Sequence, residues 1–258
     1  MSWHFQIIKK TVDILVMTVL ALYFALGFLV GFLPLYLVVL LFSRDREPGF
    51  QKLTHFFFRG FFWLTQAIVP GLTIRVSKEI HNIRSSVIVC NHVSYLDPIL
   101  LISLLKRQKT IVMSVLFKIP IFGWVVRHSG YLPATMDKGL SSLMIDQVQH
   151  LKDYLVSGGN IFIFPEGTLS KDGELGSFSP GAFKIAKVCQ APIEVLYIKN
   201  TDILYTAGRF LFNTCVRNII EVERICRIEP DFAGDSFSTF DLIERARQVY
   251  LTKMGKRS

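Results

Sequence analysis

Thirty consecutive residues, from Ile14 to Ser43, carry no charged side chain. As one helix such a run would be about 45 Å long, against a bilayer hydrocarbon core about 30 Å thick. That is too long for one upright span and too short for two ordinary ones. Gly27, Gly31 and Pro34 fall near its middle, where a helix can bend or break. The length therefore predicts a re-entrant or tightly bent hairpin half-buried in one leaflet, with a single tilted span as the alternative. A cleavable signal peptide fits less well, because the apolar region is roughly twice the usual length. Lys9 and Lys10 precede the run, and Arg44, Arg46 and Lys52 follow it. By the positive-inside rule both ends face the cytoplasm, which again favours the hairpin. Next comes Phe56-Phe57-Phe58-Arg59-Gly60-Phe61-Phe62-Trp63. Aromatics this dense suit a helix lying at the lipid interface, or equally a core helix with its phenylalanines turned inward.

The remainder of the 258 residues has a different texture, so two segments are expected: 1–70 as membrane anchor and interfacial aromatic helix, 71–258 as a folded catalytic domain. Hydrophobic residues are 51% of the chain and the mean hydropathy is +0.41, high for a soluble protein but unevenly placed. The net charge of +9 calls for an anionic partner. No Lys/Arg block and no nucleic-acid-binding signature is present, so a membrane surface is the better fit and no nucleic acid is expected. Cys90, Cys189, Cys215 and Cys226 form no C-x-x-C pair and no zinc-like spacing, so no metal is signalled and a reducing, cytoplasmic setting is expected for the bulk of the chain.

From Leu72 onward, strand and helix signals alternate. Leu72, Ile74 and Val76 alternate with polar residues as a half-exposed strand does, and Val87 to Cys90 reads as a buried one. A short apolar run, Thr110 to Met113, follows. Leu140, Leu143, Met144, Val148, Leu151 and Leu155 mark one face of an amphipathic helix that ends at Ser157-Gly158-Gly159. Further strands are predicted over 160–164, 193–198 and 219–228, and a closing helix over 240–254. The order argues for an α/β fold with a central, mostly parallel or mixed sheet flanked by helices, preceded by the membrane-embedded helical hairpin.

Two polar segments interrupt this pattern at strand ends. Val87-Ile88-Val89-Cys90 runs into Asn91-His92-Val93-Ser94-Tyr95-Leu96-Asp97, which places His92 at the mouth of a sheet, where α/β proteins gather their sites. Asp97 can reach back to fix the tautomer of His92, the base-and-orienter pairing that activates a hydroxyl. Asp97 before Pro98 also suits a helix start, and both readings stand together if the helix begins nearer Ser94. The second segment is Phe164-Pro165-Glu166-Gly167-Thr168, where Pro ends strand pairing and Gly permits unusual backbone angles. Glu166 and Thr168 are expected to project from the sheet edge, either toward a substrate or as parts of a structural turn.

Asn91-His92-x-Ser94-x-x-Asp97 followed some seventy residues later by Phe164-Pro165-Glu166-Gly167-Thr168 resembles the glycerolipid acyltransferase family, of which the lysophosphatidic acid acyltransferases (1-acylglycerol-3-phosphate O-acyltransferases) are the best-known members. Phe117-Lys118-Ile119-Pro120 with Gly123, and Gly130-Tyr131-Leu132-Pro133, are similar to the family's second block. Gly181-Ala182-Phe183 and Ala191-Pro192-Ile193 are similar to its fourth. The resemblance spans roughly residues 70–205.

The resemblance implies transfer of an acyl group from a thioester, acyl-CoA or acyl carrier protein as co-substrate, to the free hydroxyl of a lysolipid acceptor in the membrane. It implies His92 as general base, Asp97 as its orienter, and Glu166, Gly167, Thr168 and Lys118 around the acceptor's polar end, with no cofactor and no metal. Together with the basic flanks of the apolar run and the cysteine usage, this leads to the expectation of a cytoplasmic-membrane enzyme whose catalytic domain faces the cytoplasm. The chain departs from the family where phosphate-binding members carry Arg: Leu169 follows Thr168, and Met136 stands in the second block. Neither can replace a guanidinium on a phosphate monoester. Either Lys118, Lys138, Lys171 or Lys184 compensates, or the acceptor is a different lysolipid. Two rivals stay open: a lipid hydrolase, against which stands the lack of a G-x-S-x-G elbow, and a non-catalytic membrane scaffold or lipid carrier, against which stand His92 and Asp97.

Overall fold

The computed structural model describes residues 3–134, 141–170, 175–234 and 237–255. In chain order, α1 (Trp3–Leu22) continues through a π-helical segment (Tyr23–Phe32) into α2 (Leu33–Phe42), and α3 (Arg46–Ile68) follows. Then come β1 (Leu72–Val76), β2 (Val87–Cys90), α4 (Asp97–Leu104), β3 (Gln108–Met113), α5 (Phe122–His128) and β4 (Leu132–Ala134). The remaining elements are α6 (Ser141–Val156), β5 (Asn160–Ile163), α7 (Gly181–Cys189), β6 (Ile193–Lys199), α8 (Thr201–Leu204), β7 (Asn218–Ile228) and α9 (Thr239–Gly255). Seven strands form a sheet in the order β1-β7-β6-β2-β5-β3-β4, and β1–β7, β2–β5, β2–β6, β3–β4 and β3–β5 pair in parallel. This is the helix-flanked α/β sheet expected from the alternating pattern. Two compact units divide the chain: Met1–Ser77 with Val93–Lys106 and Ile198–Val222, and Lys78–His92 with Arg107–Tyr197 and Glu223–Ser258.

In the first unit the expected bend between Gly27 and Pro34 does not form: Gln6–Phe42 is one continuous helix, as the single-span alternative required, and the chain reverses only at 43–45, beyond the charge-free run, where α3 folds back along it. The helix continues through that region because its turns widen: the Leu33 N–H reaches back to the Phe28 carbonyl, and Pro34 falls in the first turn of α2, where a missing N–H is tolerated. Aromatic packing holds the wide segment against α3. Tyr23, Phe24, Phe28 and Phe32 all set their rings against Phe57 of α3, with centroids 5.1 to 5.8 Å apart. The Tyr23 hydroxyl donates to the Phe57 carbonyl at 2.6 Å. Gly60 makes this approach possible, since a Cβ there would sit 2.5 Å from the Tyr23 oxygen. About three turns earlier, a Cβ on Gly49 would meet Val39 Cγ1 at 2.6 Å. The aromatic helix thus turns most of its rings inward: Phe57, Phe58, Phe61 and Phe62 are buried, while Phe56 and Trp63 remain exposed. By length and composition the stretch Gln6–Phe42 could cross a membrane, and almost none of it is buried in the protein.

The second unit holds the core that fixes the site. Val87 and Val89 of β2, Ile161 and Ile163 of β5, and Ile193 and Val195 of β6 pack against Phe183 of α7, Leu151 of α6 and Tyr250 of α9. Each such side chain contributes roughly 1.5–3 kcal/mol on burial. Tyr250 has no exposed surface, and burial pushes its phenol well above the usual range, so it stays a donor. Its hydroxyl lies 2.9 Å from the Val89 carbonyl and 2.7 Å from that of Leu196, tying the end of β2 to β6. Glu194 is the one acid inside buried β6. It is tolerated because Arg224 grips it with Nε at 2.5 Å and Nη2 at 3.1 Å, and Arg227 Nη1 adds a contact at 3.2 Å.

Candidate active site

Parallel pairing brings the two sequence motifs together. Val89 stands opposite Ile163 in the β2–β5 register, so the chain emerging from β2 reaches His92 as the chain emerging from β5 reaches Glu166. Glu166 closes the gap: its Oε1 accepts the backbone N–H of His92 at 3.1 Å, and its Oε2 accepts that of Gly176 at 2.9 Å. The His92 carbonyl in turn accepts the Ser170 N–H at 2.8 Å. The turn itself is built as the sequence suggests. Gly167 takes a left-handed backbone angle, φ +69°, and its N–H bonds the Phe164 carbonyl at 3.1 Å.

The half-buried His92 ring stacks on Phe164, with centroids 4.2 Å apart and planes at 22°. A ring held this way keeps one orientation, which a general base needs. Beside it, Gly167 and Thr168 are exposed, and a Cβ at Gly167 would meet nothing within 4 Å, so ligand atoms can approach the backbone there. Lys118 is exposed at the end of a 3₁₀ turn, Ser114–Lys118, that follows the C-terminal end of β3. Because β2, β3 and β5 run parallel, this is the same edge of the sheet that carries His92 and Glu166. Leu169 is half-buried and Lys184 is exposed on α7, whereas Met136, Lys138 and Lys171 lie outside the described residues.

Asp97 is the first residue of α4, not its cap, and it has no exposed surface. Its carboxylate turns back: Oδ2 accepts the N–H groups of Val93 at 2.7 Å and Ser94 at 2.8 Å, and Oδ1 accepts the hydroxyl of buried Thr201 at 2.6 Å. Three donors thus fix the position of this one buried carboxylate. Sequence reasoning missed Thr201, which lies more than a hundred positions away in an unremarkable Asn-Thr-Asp stretch. It also missed the stacking role of Phe164 and the tie made by Tyr250. Only Phe164, inside the second motif, offered a signal. Ser94 is fully buried, and its hydroxyl donates to the Tyr205 carbonyl at 2.9 Å, the setting of a structural hydroxyl rather than a nucleophile.

Residues 72–199 match the family model described as Acyltransferase. The chain is 35% identical over 172 residues to the chloroplastic 1-acyl-sn-glycerol-3-phosphate acyltransferase LPAT1 of Arabidopsis thaliana, covering 65% of this chain and 47% of that one. It is 28% identical over 134 residues to a 1-acyl-sn-glycerol-3-phosphate acyltransferase of Pseudomonas aeruginosa, covering 51% of each. The chain spans about half the length of the curated relatives it matches. Among solved structures, the 1-acyl-sn-glycerophosphate (LPA) acyltransferase PlsC from Thermotoga maritima shares the fold, with a TM-score of 0.68 and 22% identity over 98% of both chains. The matched segment carries His92, Asp97 and the Phe164–Thr168 turn in the family's order, and by it this chain belongs to the glycerolipid acyltransferase family.

Proposed function

We propose that this protein transfers a fatty acyl group from an acyl thioester to the free hydroxyl of 1-acylglycerol-3-phosphate, giving phosphatidic acid. The carrying observation is the parallel register that sets His92 beside the Phe164–Thr168 turn, with the Glu166 carboxylate bonded to the His92 backbone. In this reading neutral His92 takes the proton from the acceptor hydroxyl as its oxygen attacks the thioester carbonyl. The tetrahedral intermediate then collapses, the carbon–sulfur bond breaks, and the imidazolium returns the proton to the departing thiolate. A positioned base of this kind is worth ~10²–10⁴ in rate. Asp97 orients His92 and stabilises its charged form. Gly167, Thr168 and Lys118 receive the acceptor's polar end. Glu166, also expected there, has both oxygens on backbone donors, and we give it the role of holding the turn against His92. The segment 1–70 serves as membrane anchor and 71–258 as catalytic domain, on the cytoplasmic side of the membrane. Acyl-CoA and acyl carrier protein both fit as donors.

A second acceptor reading rests on Leu169, which puts an alkyl side chain where phosphate-binding relatives carry a guanidinium. A lysophospholipid or lyso-aminolipid with another headgroup then becomes the better substrate, although the names of the relatives favour the phosphate monoester. The test is to incubate purified protein with acyl-CoA, or acyl carrier protein carrying the same chain, and a lysolipid panel, reading products by mass. Highest kcat/KM for lysophosphatidic acid, falling about tenfold or more in Lys118→Ala as one charge-assisted contact is lost, is expected. A higher kcat/KM for lysophosphatidylethanolamine or lysophosphatidylglycerol establishes the second reading. Thioester hydrolysis without any acylated lipid would falsify both.

A further inference from the structure

A cleft of about 440 Å³ opens in the first unit between the start of α1 and the loop 209–213. Its polar wall is Gln6, Lys9, Lys10 and Asp13 of α1 together with Arg209, and Phe210, Leu211 and Phe212 supply its apolar side. Asp13 is buried and fully engaged. Its Oδ1 accepts the N–H and hydroxyl of Thr214 at 2.9 and 2.6 Å, and its Oδ2 pairs with Lys9 at 2.7 Å. That pair neutralises itself and leaves Lys10 and Arg209, both exposed and in no ion pair among the described residues, as the net charge of the cleft.

Two further features decide what such a cleft receives. It lies on the first turns of the helix whose next thirty residues carry no charge, at the level where a membrane-inserted helix meets headgroups. Phe210 beside it is 83% exposed, and Trp3, Ile7 and Ile8 are exposed on the same stretch of α1. Cations at the rim of an apolar surface match an amphiphile with an anionic head, whereas a free anion has no use for the phenylalanines. We infer that the Lys10–Arg209 cleft binds the phosphate-bearing headgroup of an anionic membrane phospholipid, separately from the acyl acceptor at His92. This rests on the membrane-anchor part of the proposed function and not on the acyl transfer.

The test uses the full chain in detergent micelles doped with equal amounts of dioleoylphosphatidylglycerol and dioleoylphosphatidylcholine, with retained lipid read by native mass spectrometry. Wild type should retain phosphatidylglycerol over phosphatidylcholine. Near an anionic surface each basic residue is worth about fivefold, so Lys10→Gln/Arg209→Gln should lose roughly 25-fold of that preference. Lys10→Arg/Arg209→Lys should keep it, and so should Lys78→Gln/Lys106→Gln, which removes the same charge elsewhere. Unchanged preference in the cleft variant, or equal loss in the remote one, overturns the inference. Displacement of phosphatidylglycerol by inorganic phosphate alone also overturns it, because the site would then be one for a free anion. Acyl transfer to lysophosphatidic acid in neutral micelles should stay within about twofold of wild type in Lys10→Gln/Arg209→Gln. Its loss there would make the cleft part of the reaction site and sink the assignment. A wild type that selects phosphatidylglycerol yet transfers no acyl group would refute the proposed activity and leave the headgroup site standing.

Discussion

Glu166→Gln separates two roles for the acid of the second motif. In the structure both carboxylate oxygens face backbone N–H groups, those of His92 at 3.1 Å and Gly176 at 2.9 Å. A glutamine keeps one oxygen acceptor and turns an NH₂ toward the other donor, so one of the two bonds must fail. A hydrogen bond to a charged partner is worth about 1.5–3 kcal/mol. If the whole of that loss falls on the seating of the His92 loop, the fraction of molecules with His92 in place drops by about 10- to 150-fold. The reaction then slows in kcat, because bound acceptor waits for a base that is seldom positioned, while KM for the acceptor stays within about threefold. Glu166→Ala removes both bonds and should be at least as slow. The assay is steady-state acyl transfer at varied lysophosphatidic acid with saturating acyl-CoA, with far-ultraviolet circular dichroism to confirm the fold. A tenfold rise in KM at unchanged kcat would show Glu166 touching the acceptor and would refute the positioning role.

His92→Ala should lose at least ~10² in kcat with fold and membrane association intact, and near-wild-type turnover would remove His92 from the mechanism. Asp97→Asn should lose activity and also stability, since an amide cannot accept all three donors of Val93, Ser94 and Thr201. Thr201→Ala strips the buried Asp97 carboxylate of one donor at a cost of about 1.5–3 kcal/mol, a fall in Tm of roughly 4–8 °C together with slower turnover. Thr201→Ser should restore both, and an alanine variant indistinguishable from wild type would sever Thr201 from the site. Gly60→Val drives a methyl group into Tyr23 and should cost about 1–3 kcal/mol, measured as a lower Tm in detergent; a neutral result would mean the hairpin packs more loosely than the Tyr23–Phe57 bond indicates.

What was legible in the sequence is whatever local pattern determines. β2 and the Ile161–Ile163 stretch of β5 are unbroken apolar runs, so their burial follows from composition, and the polar residues after each must lie at the strand ends. Both motifs were therefore visible as strand-end loops, and their shared order resembled the family. What brings Glu166 onto the His92 backbone is the register Val89 opposite Ile163, which depends on long-range pairing that no window of residues encodes. Thr201 shows the same limit more sharply, since one hydroxyl from α8 completes the shell of an acid more than a hundred residues earlier. Glu194 is the reverse case. Read locally, an acid argues against a buried strand, and only Arg224 and Arg227 on β7 make it tolerable.

The hairpin needed a different correction. Gly27, Gly31 and Pro34 suggest a breakpoint in the sequence because each weakens an isolated α-helix. A π-helical register relieves the constraint that makes Pro34 disruptive, and the ring of Phe57 gives Tyr23, Phe24, Phe28 and Phe32 a common partner that rewards the wide turns. Small residues then do their work on the opposite helix. Gly49 and Gly60 of α3 let the two rods approach, and the chain reverses at Ser43-Arg44-Asp45, where the charge-free run ends. Charge marks the turn better than helix propensity does, because a tertiary partner can compensate a poor helix former, whereas the charged Arg44-Asp45-Arg46 stretch favours solvent over an apolar helix face.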